Sequence, residues 1–412
     1  MPAPGGGQPP TSSGWEVGDE SVTSMYLPAQ MTADREGPSS RAPIQGKDVG
    51  KAFRGWVIVL ARTVYFLLLL YLFFSSIELM STAFRMAGRG FAETLINTVS
   101  NPLAGLLLGF VATSIIQSSS TTTTILVGLV ASGTLSIELA VPVVMGANIG
   151  TATTAILVSL GHVTRRLEFQ RAFAASTVHD FFNLLAAFTL LPLEILFSPI
   201  ERAAVFLQGV FAGAGGMSLA SPLQAAVRPV AGVVVGVVPY TVPLVVLSLM
   251  GLFLALRLMM GVMKGPVLTR MEGLFDRILF RNDAAAFGLG MVTTAAVQSS
   301  SATTSLMIPL AGTGVLTIRQ IYPYTLGANL GTTVTAILAS MATGSPAAVT
   351  VALAHLCFNL LGMSIYYPLK ALPIWLATKS GAYAARSRRH AMTVVAIVAA
   401  AILTPLLYLI FS

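Results

Sequence analysis

The chain has 412 residues, of which 55% are hydrophobic and only 10% charged, and its mean hydropathy is +0.79. A water-soluble domain carries about 25% charged residues to cover its surface, so this composition excludes a soluble fold and makes lipid the solvent. The net charge of +8 does not suggest nucleic acid, because the basic residues form no face and sit in connectors beside apolar runs (Lys47, Lys51 and Arg54; Lys264, Arg270, Arg277 and Arg281; Lys379, Arg386, Arg388 and Arg389), the pattern of the positive-inside rule.

Residues 1–50 lack an apolar core and are rich in Pro, Gly and Ser. They carry no secretory signal and are expected to form a disordered cytoplasmic tail. A membrane span takes about 20 apolar residues, which 56–80 supplies. The stretch 83–100 carries Arg85, Arg89, Glu93 and Asn97 and is too polar to cross, so an interfacial amphipathic helix is expected there. Apolar runs follow at 104–131 and 139–160, then at 172–197 after a connector bearing Arg165, Arg166 and Arg171. Residues 202–228 are mixed and contain Gly-Ala-Gly-Gly, predicting a loop with short helices. The run 230–260 predicts one long span, bent at Pro239 and Pro243. A basic connector over 261–285 leads to further runs at 287–311, 321–341, 346–368 and 392–411.

The pattern repeats. Shifted by 181 positions, residues 109–157 fall on 290–338 without a gap, and 23 of the 49 positions are identical. Gln117-Ser118-Ser119-Ser120 falls on Gln298-Ser299-Ser300-Ser301, and Gly146-Ala147-Asn148-Ile149-Gly150-Thr151 falls on Gly327-Ala328-Asn329-Leu330-Gly331-Thr332. After a five-residue deletion in the second copy, His179 and Asn183 meet His355 and Asn359. Internal duplication is a common way to build a secondary transporter. Basic residues place the start of the first span and the 261–285 connector inside, so the two copies are expected to be inverted. The chain then divides into the tail (1–50), a first transmembrane helix with its interfacial helix (51–103) and repeat 1 (104–197). A connecting loop, transmembrane helix and basic connector (198–285), repeat 2 (286–370), and a basic loop with a C-terminal transmembrane helix (371–412) complete it. The fold class is all-α and polytopic.

Polar residues in the hydrocarbon region are expensive and need a reason. Residues 117–124 are eight consecutive polar residues, with a matching run from Gln298. They cover more than two helical turns, so a continuous helix would turn hydroxyls toward lipid. A break there instead exposes helix ends to a cavity, where non-helical backbone is tolerated. Helix N-termini and hydroxyls suit an oxyanion. The same hydroxyl oxygens, with the amide oxygens of Gln117, Gln298, Asn148 and Asn329, suit sodium. Neither run contains Lys or Arg, which would leave bound sodium to supply the compensating charge and so couple the two solutes. The competing reading of each run is helix packing with hydroxyls bonded back to carbonyls.

Asp180 lies in an apolar run where the second copy has Leu356. It is a candidate sodium ligand and charge carrier, or else a carboxylate paired with Arg171, His179 or a helix end. His179 and His355 read as satisfied interior histidines rather than proton carriers. The pairs Gly146/Gly150 and Gly327/Gly331 permit a tight helix approach or an unwound turn around the asparagine.

These residues together resemble the type II sodium-dependent phosphate cotransporters. The paired QSSS motifs carry the resemblance, with GANIGT, GANLGT, the stretch Ala175–Asn183 and its partner Ala354–Asn359, and it extends over roughly 55–410. It implies two inverted repeats, each with a re-entrant helical hairpin bearing a QSSS motif, and coupled uptake of inorganic phosphate with several sodium ions. It further implies Ser118, Ser119, Ser120, Ser299, Ser300 and Ser301 as the phosphate-binding set. Gln117, Gln298, Asn148, Asn329, Thr151, Thr332, Thr333, Asp180, Asn183 and Asn359 are implied as sodium or supporting ligands. An aspartate at the place of Asp180 goes with electrogenic transport of divalent phosphate in that family.

Two departures stand out. The segment 198–229 is short and without cysteine, unlike the long disulfide-bonded loop of animal members, which suggests a compact prokaryotic type. His162 and Arg165 stand where animal members carry Gln and Asp. The expected partners are phosphate, sodium as coupling ion, and the bilayer of a plasma membrane (the inner membrane in a bacterium). No cofactor, no nucleic acid and no metal other than sodium are expected, and a homodimer is a candidate assembly. The alternatives are a sodium-coupled carrier of another oxyanion such as sulfate or arsenate, or an anion channel. No Walker motif or nucleophile–base constellation is visible, which sets an enzyme aside.

Overall fold

The computed structural model describes residues 46–99, 101–279 and 282–411. Of the tail expected over 1–50, all but the last five residues lie outside the described part; 46–50 are already helical. A division falls at Trp56–Val57, and residues 57–411 form one unit. The described regular structure is helical throughout. In chain order the elements are α1 (Gly46–Thr98), α2 (Pro102–Ile116), α3 (Ser119–Ala131), α4 (Ile137–Ile149), α5 (Ala152–Leu160), α6 (Arg166–Phe197), α7 (Pro199–Gly213) and α8 (Gly216–Val237). They continue as α9 (Thr241–Leu279), α10 (Asp283–Val297), α11 (Ser300–Ser305), α12 (Met307–Gly312), α13 (Ile318–Thr343), α14 (Pro346–Tyr366), α15 (Ala371–Ala384) and α16 (Arg388–Phe411). Five helices are long and apolar enough to cross a membrane, namely Trp56–Gly88, Arg166–Phe197, Thr241–Met263, Pro346–Tyr366 and Arg388–Leu409.

Several sequence expectations need correction. The first span does not stop at residue 80. It runs to Gly88, whose φ of 76° breaks the helix, a left-handed conformation that glycine adopts without penalty. The span tolerates Arg85 because its guanidinium reaches Ser81 Oγ, Thr82 Oγ1 and, at 3.9 Å, Glu78. The run 230–260 is not one bent helix but two, with 238–240 outside both. Pro239 disfavours helical geometry at Val238 before it, and Pro243 falls in the first turn of α9, where its missing N–H costs nothing. The helices expected within 202–228 are longer than a loop with short helices allows, α7 and α8 taking all of it except 214–215. The elbow before α7 forms because Ser198 adopts φ 49° and the Glu194 carboxylate accepts the N–H groups of Ile200 and Glu201 at 2.7 and 3.0 Å. The basic connector continues α9 to Leu279, and the basic loop after 370 contains α15.

The duplication extends to local geometry. Asn101 and Asn282 each cap the following helix by accepting an N–H at 2.8 Å, from Ala104 and Ala285. Gly133 and Gly314 both take positive φ, 77° and 83°. Within each copy the first arm packs against the helix bearing the Gly-Ala-Asn segment, α2 on α4 and α10 on α13. Backbone touches backbone there. A Cβ on Gly146 would lie 1.8 Å from Leu106 O, and one on Gly327 would lie 1.9 Å from Phe287 O. The glycine pairs therefore serve close helix packing; Asn329 lies inside the continuous α13, whereas α4 ends at Ile149, one residue after Asn148, and a turn at 150–151 separates it from α5.

The two hairpin bases lie near opposite ends of α6. At its start, Arg171 lies over the turn closing the second hairpin, with Nη1 2.6 Å from where a Gly314 Cβ would be, and α12 packs on α6. At its far end, Glu194 caps α7, and α4, which opens just after the first hairpin, packs on α7. Burial and then the neighbouring charge of Glu138 raise the Glu201 carboxyl above its usual range. Arg171 and Glu194 are separated by about 35 Å of helix.

Candidate functional site

Both polar runs break their helices, at matching residues. α2 ends at Gln117 with φ 61° and α10 ends at Gln298 with φ 59°, left-handed values that are uncommon for a residue with a Cβ. In each case the serine that follows is extended and caps the next helix, Ser118 accepting from Thr121 N and Ser299 from Ala302 N, both at 3.2 Å. A hydroxyl–hydroxyl bond ties the two arms of each hairpin, Thr113 to Thr122 at 2.9 Å and Thr294 to Thr303 at 2.7 Å. The first arm has 15 residues and the second 13 in copy one, about 22 and 20 Å of helix. Neither arm alone spans a hydrocarbon core of about 30 Å.

The threonines after each motif follow the packing alternative. Thr123, Thr124, Thr303 and Thr304 donate back to carbonyls of their own helix. None of these bonds uses the hydroxyls of Ser119, Ser120, Ser300 or Ser301, of which Ser119, Ser120 and Ser300 are buried. The second arms α3 and α11 both pack on α13, the helix that carries Asn329.

At that level the asparagines and histidines of both copies form one buried network. Asn329 Nδ2 donates to Asn183 Oδ1 at 2.8 Å and to Asn359 Oδ1 at 3.0 Å. Asn183 Nδ2 contacts Asn148 O at 3.0 Å and His179 Nε2 at 3.2 Å. His355 Nε2 meets Asn148 Oδ1 at 3.1 Å, while His179 interacts with the side chain of Asn329. Each histidine thus engages the asparagine of the other copy. Both histidines are interior partners of amides, but His355 is not fully satisfied as expected, because its buried Nδ1 has no hydrogen-bond partner among the described residues. Gln298 is 7% exposed, and its Oε1 has no hydrogen-bond partner among the described residues. A buried acceptor of this kind fits a cation.

The other expected ligands have these surroundings. Gln117 is exposed and its amide folds back onto Ser114 O. Thr332 and Thr333 donate to carbonyls of their own helix, Ala328 O and Leu330 O, while Thr151, in the turn after α4, donates to Asn148 O, the acceptor it shares with Asn183. Asp180 does not pair with Arg171, which lies nine residues away over Gly314. Its Oδ1 is 3.9 Å from His179 Nδ1. The residue lines an apolar cavity of about 330 Å³ with Thr177, Ser380 and α16 residues such as Ile397. His162 and Arg165 are tied to Glu168, at 3.5 and 2.8 Å.

One buried acid is not among the candidates drawn from the sequence. Glu78 sits inside the first span with Arg85 and Arg228 each at 3.9 Å, joining α1 to α8. The signal that singles out Asp180, an acid within an apolar run, applies equally to Glu78.

The chain matches the Na+/Pi-cotransporter family over residues 72–220 and 251–370. It is 31% identical over 435 residues to sodium-dependent phosphate transport protein 2B of Homo sapiens, covering 81% of this chain and 63% of the relative. It is 30% identical over 404 residues to sodium-dependent phosphate transport protein 2A of Rattus norvegicus, covering 78% and 63%. The chain therefore spans somewhat under two thirds of the length of these curated relatives. No solved structure matches it. With the family matched over more than half its length, this multi-pass membrane protein belongs to the Na+/Pi-cotransporter family.

Proposed function

We propose that the chain is a sodium-coupled symporter that brings inorganic phosphate across the cell membrane by alternating access between two inverted repeats. The observation that carries this reading is the pair of identical hairpin breaks at Gln117/Ser118 and Gln298/Ser299, each followed by a second arm packed on α13. The names of the relatives, sodium-dependent phosphate transport proteins, support it. Inversion is supported by the two hairpin bases lying beside opposite ends of α6.

In this mechanism the serine hydroxyls donate to phosphate oxygens, aided in copy one by the free N–H groups that open α3. Amide oxygens such as Gln298 Oε1 hold sodium. Neutral donors alone hold a dianion weakly, and adjacent sodium ions add the attraction that makes binding of each solute favour the other. The reciprocal ties between Asn148, His355, His179 and Asn329 join the copies, so an ion engaging one copy biases the other.

Uptake of labelled phosphate into proteoliposomes under an imposed sodium gradient tests the coupling. Uptake should vanish when choline replaces sodium; equal uptake would overturn the reading. Replacing Ser120 or Ser301 with alanine removes one hydrogen bond to a charged group, worth about 1.5–3 kcal/mol. That predicts a loss of roughly 10- to 150-fold in apparent phosphate affinity. Asp180 is proposed to carry charge through the cycle. Asp180→Gly should retain sodium-dependent phosphate uptake while losing its response to membrane potential, and unchanged currents would remove Asp180 from that role.

A further inference from the structure

The geometry points to a second oxyanion site, separate from the serine hairpins. It is a basic vestibule at the base of the second hairpin, where Arg171, Arg319 and Lys370 receive the phosphate group of either free inorganic phosphate or an anionic lipid headgroup. Two cavities adjoin there. One, of about 280 Å³, is lined by Arg171, Gln170, Gly314 and Thr317. The other, of about 1010 Å³, is lined by Arg319, Gln320, Lys370 and Trp375. Thr378 lines both, and Thr317 and Arg319 lie two residues apart where α13 begins.

The charges do not cancel. Among the described residues Asp283 is the one acid lining either cavity, and it is already engaged by Lys370 Nζ at 2.7 Å and the Tyr367 hydroxyl at 3.0 Å. Arg171 and Arg319 remain without an acidic partner among the described residues, and Arg319 lies close enough to repel the Lys370 ammonium. Like charges held around a concave surface lower their mutual repulsion by binding an anion, and the concavity focuses the field on it. Gly314 holds the left-handed turn, φ 83°, over which Arg171 Nη1 lies.

The related positions of copy one carry the opposite sign. Under the same register, Arg319 corresponds to Glu138, and under the register after the deletion Lys370 corresponds to Glu194. Gly133, the counterpart of Gly314, has nothing within 4 Å of its would-be Cβ. Corresponding positions of one duplicated sequence have thus diverged in sign, acidic in copy one and basic in copy two. General membrane charge bias accounts for basic connectors, but not for arginines lining paired cavities whose only acid is neutralised. The inference goes beyond the transport reading and stands apart from it, since it predicts anion binding at this mouth without sodium.

A cysteine reporter at Thr378 tests it in the full-length purified protein, because the native Cys357 is buried. In Thr378→Cys, a sulfonate-bearing methanethiosulfonate should react about tenfold faster than its trimethylammonium counterpart, each normalised to a free thiol, through electrostatic focusing. Millimolar phosphate should slow that reaction more than chloride at equal ionic strength, with or without sodium. Adding Arg171→Gln and Arg319→Gln should remove both effects. Protection by phosphate in detergent identifies the free anion as ligand. Protection only in nanodiscs containing phosphatidylglycerol identifies the lipid headgroup. Equal rates for both reagents, or no more protection by phosphate or phosphatidylglycerol than by chloride, overturns the site. The wild-type background carries this test even if the double variant fails to fold. Sodium-independent protection in a protein that transports no phosphate would uphold the site while removing the transport reading.

Discussion

Gly327→Val is expected to leave little or no folded protein. The Cβ of any side chain at this position would lie 1.9 Å from Phe287 O and 3.0 Å from Met291 N, and both are backbone atoms that cannot swing away. The reverse contact is as tight, with a Cβ on Gly290 falling 2.1 Å from Tyr324 O. Accommodating valine would force α10 off α13 along the contact that holds the second hairpin. Ordinary overpacking costs about 1–3 kcal/mol; separating two backbones in contact should cost on the order of 5 kcal/mol or more. That is comparable with the whole stability margin of about 5–15 kcal/mol. The measurement is the monodisperse yield and thermal midpoint in detergent. Gly236→Val is the control, since nothing lies within 4 Å of its would-be Cβ, and it should behave like the parent. A Gly327→Val protein with the parent's midpoint would show that the hairpin does not need this contact.

Asn329→Leu is expected to fold but to lose sodium-driven phosphate uptake by more than about 100-fold. One amide nitrogen here serves two acceptors, Asn183 Oδ1 and Asn359 Oδ1. Leucine keeps the volume and leaves both acceptors unpaired in a buried site, at about 1–3 kcal/mol each. The change also removes the partner through which His179 engages the second copy. The network links α6, α13 and α14, so its loss acts on coupling as well as on any ion held there. Uptake and sodium dependence measured in proteoliposomes, alongside the thermal midpoint, separate the two effects. Ordinary sodium-driven uptake by a well-folded variant would remove Asn329 from the mechanism.

Much of this arrangement is legible in the sequence because the membrane makes polar residues costly. Eight consecutive polar residues cannot share one helix face, and the chain does break there, at a left-handed glutamine with a capping serine after it. The register between the copies, gapless through Asn148 and Asn329 and resumed after a five-residue deletion, likewise identifies the asparagines and histidines that meet in the network. Positions where neighbours decide the outcome are less legible. Whether Pro239 bends a span or ends it depends on the residues after it, and a second proline in the first turn of α9 favours a new helix start. The first span looks shorter than it is because Arg85 seems prohibitive in isolation, whereas Ser81, Thr82 and Glu78 satisfy it locally. Thr332 and Thr333 share a motif with Asn329, but hydroxyl rotors bond most readily to their own helix, and motif membership alone does not reveal this. The direction in which Asp180 points is set by the packing of α6 against its neighbours.

The two motif glutamines share a backbone conformation but not an environment: Gln117 is exposed, whereas Gln298 is 7% exposed. A duplicated machine at rest in a symmetric state would treat both alike. Under the proposed alternating-access reading, the difference corresponds to one stage of the cycle, with one hairpin opened and its twin covered. In the opposite stage the roles should exchange, Gln117 being covered and Gln298 wetted. The pair therefore offers a built-in position indicator: probes attached at the two sites should report opposite changes in accessibility whenever the transporter turns over.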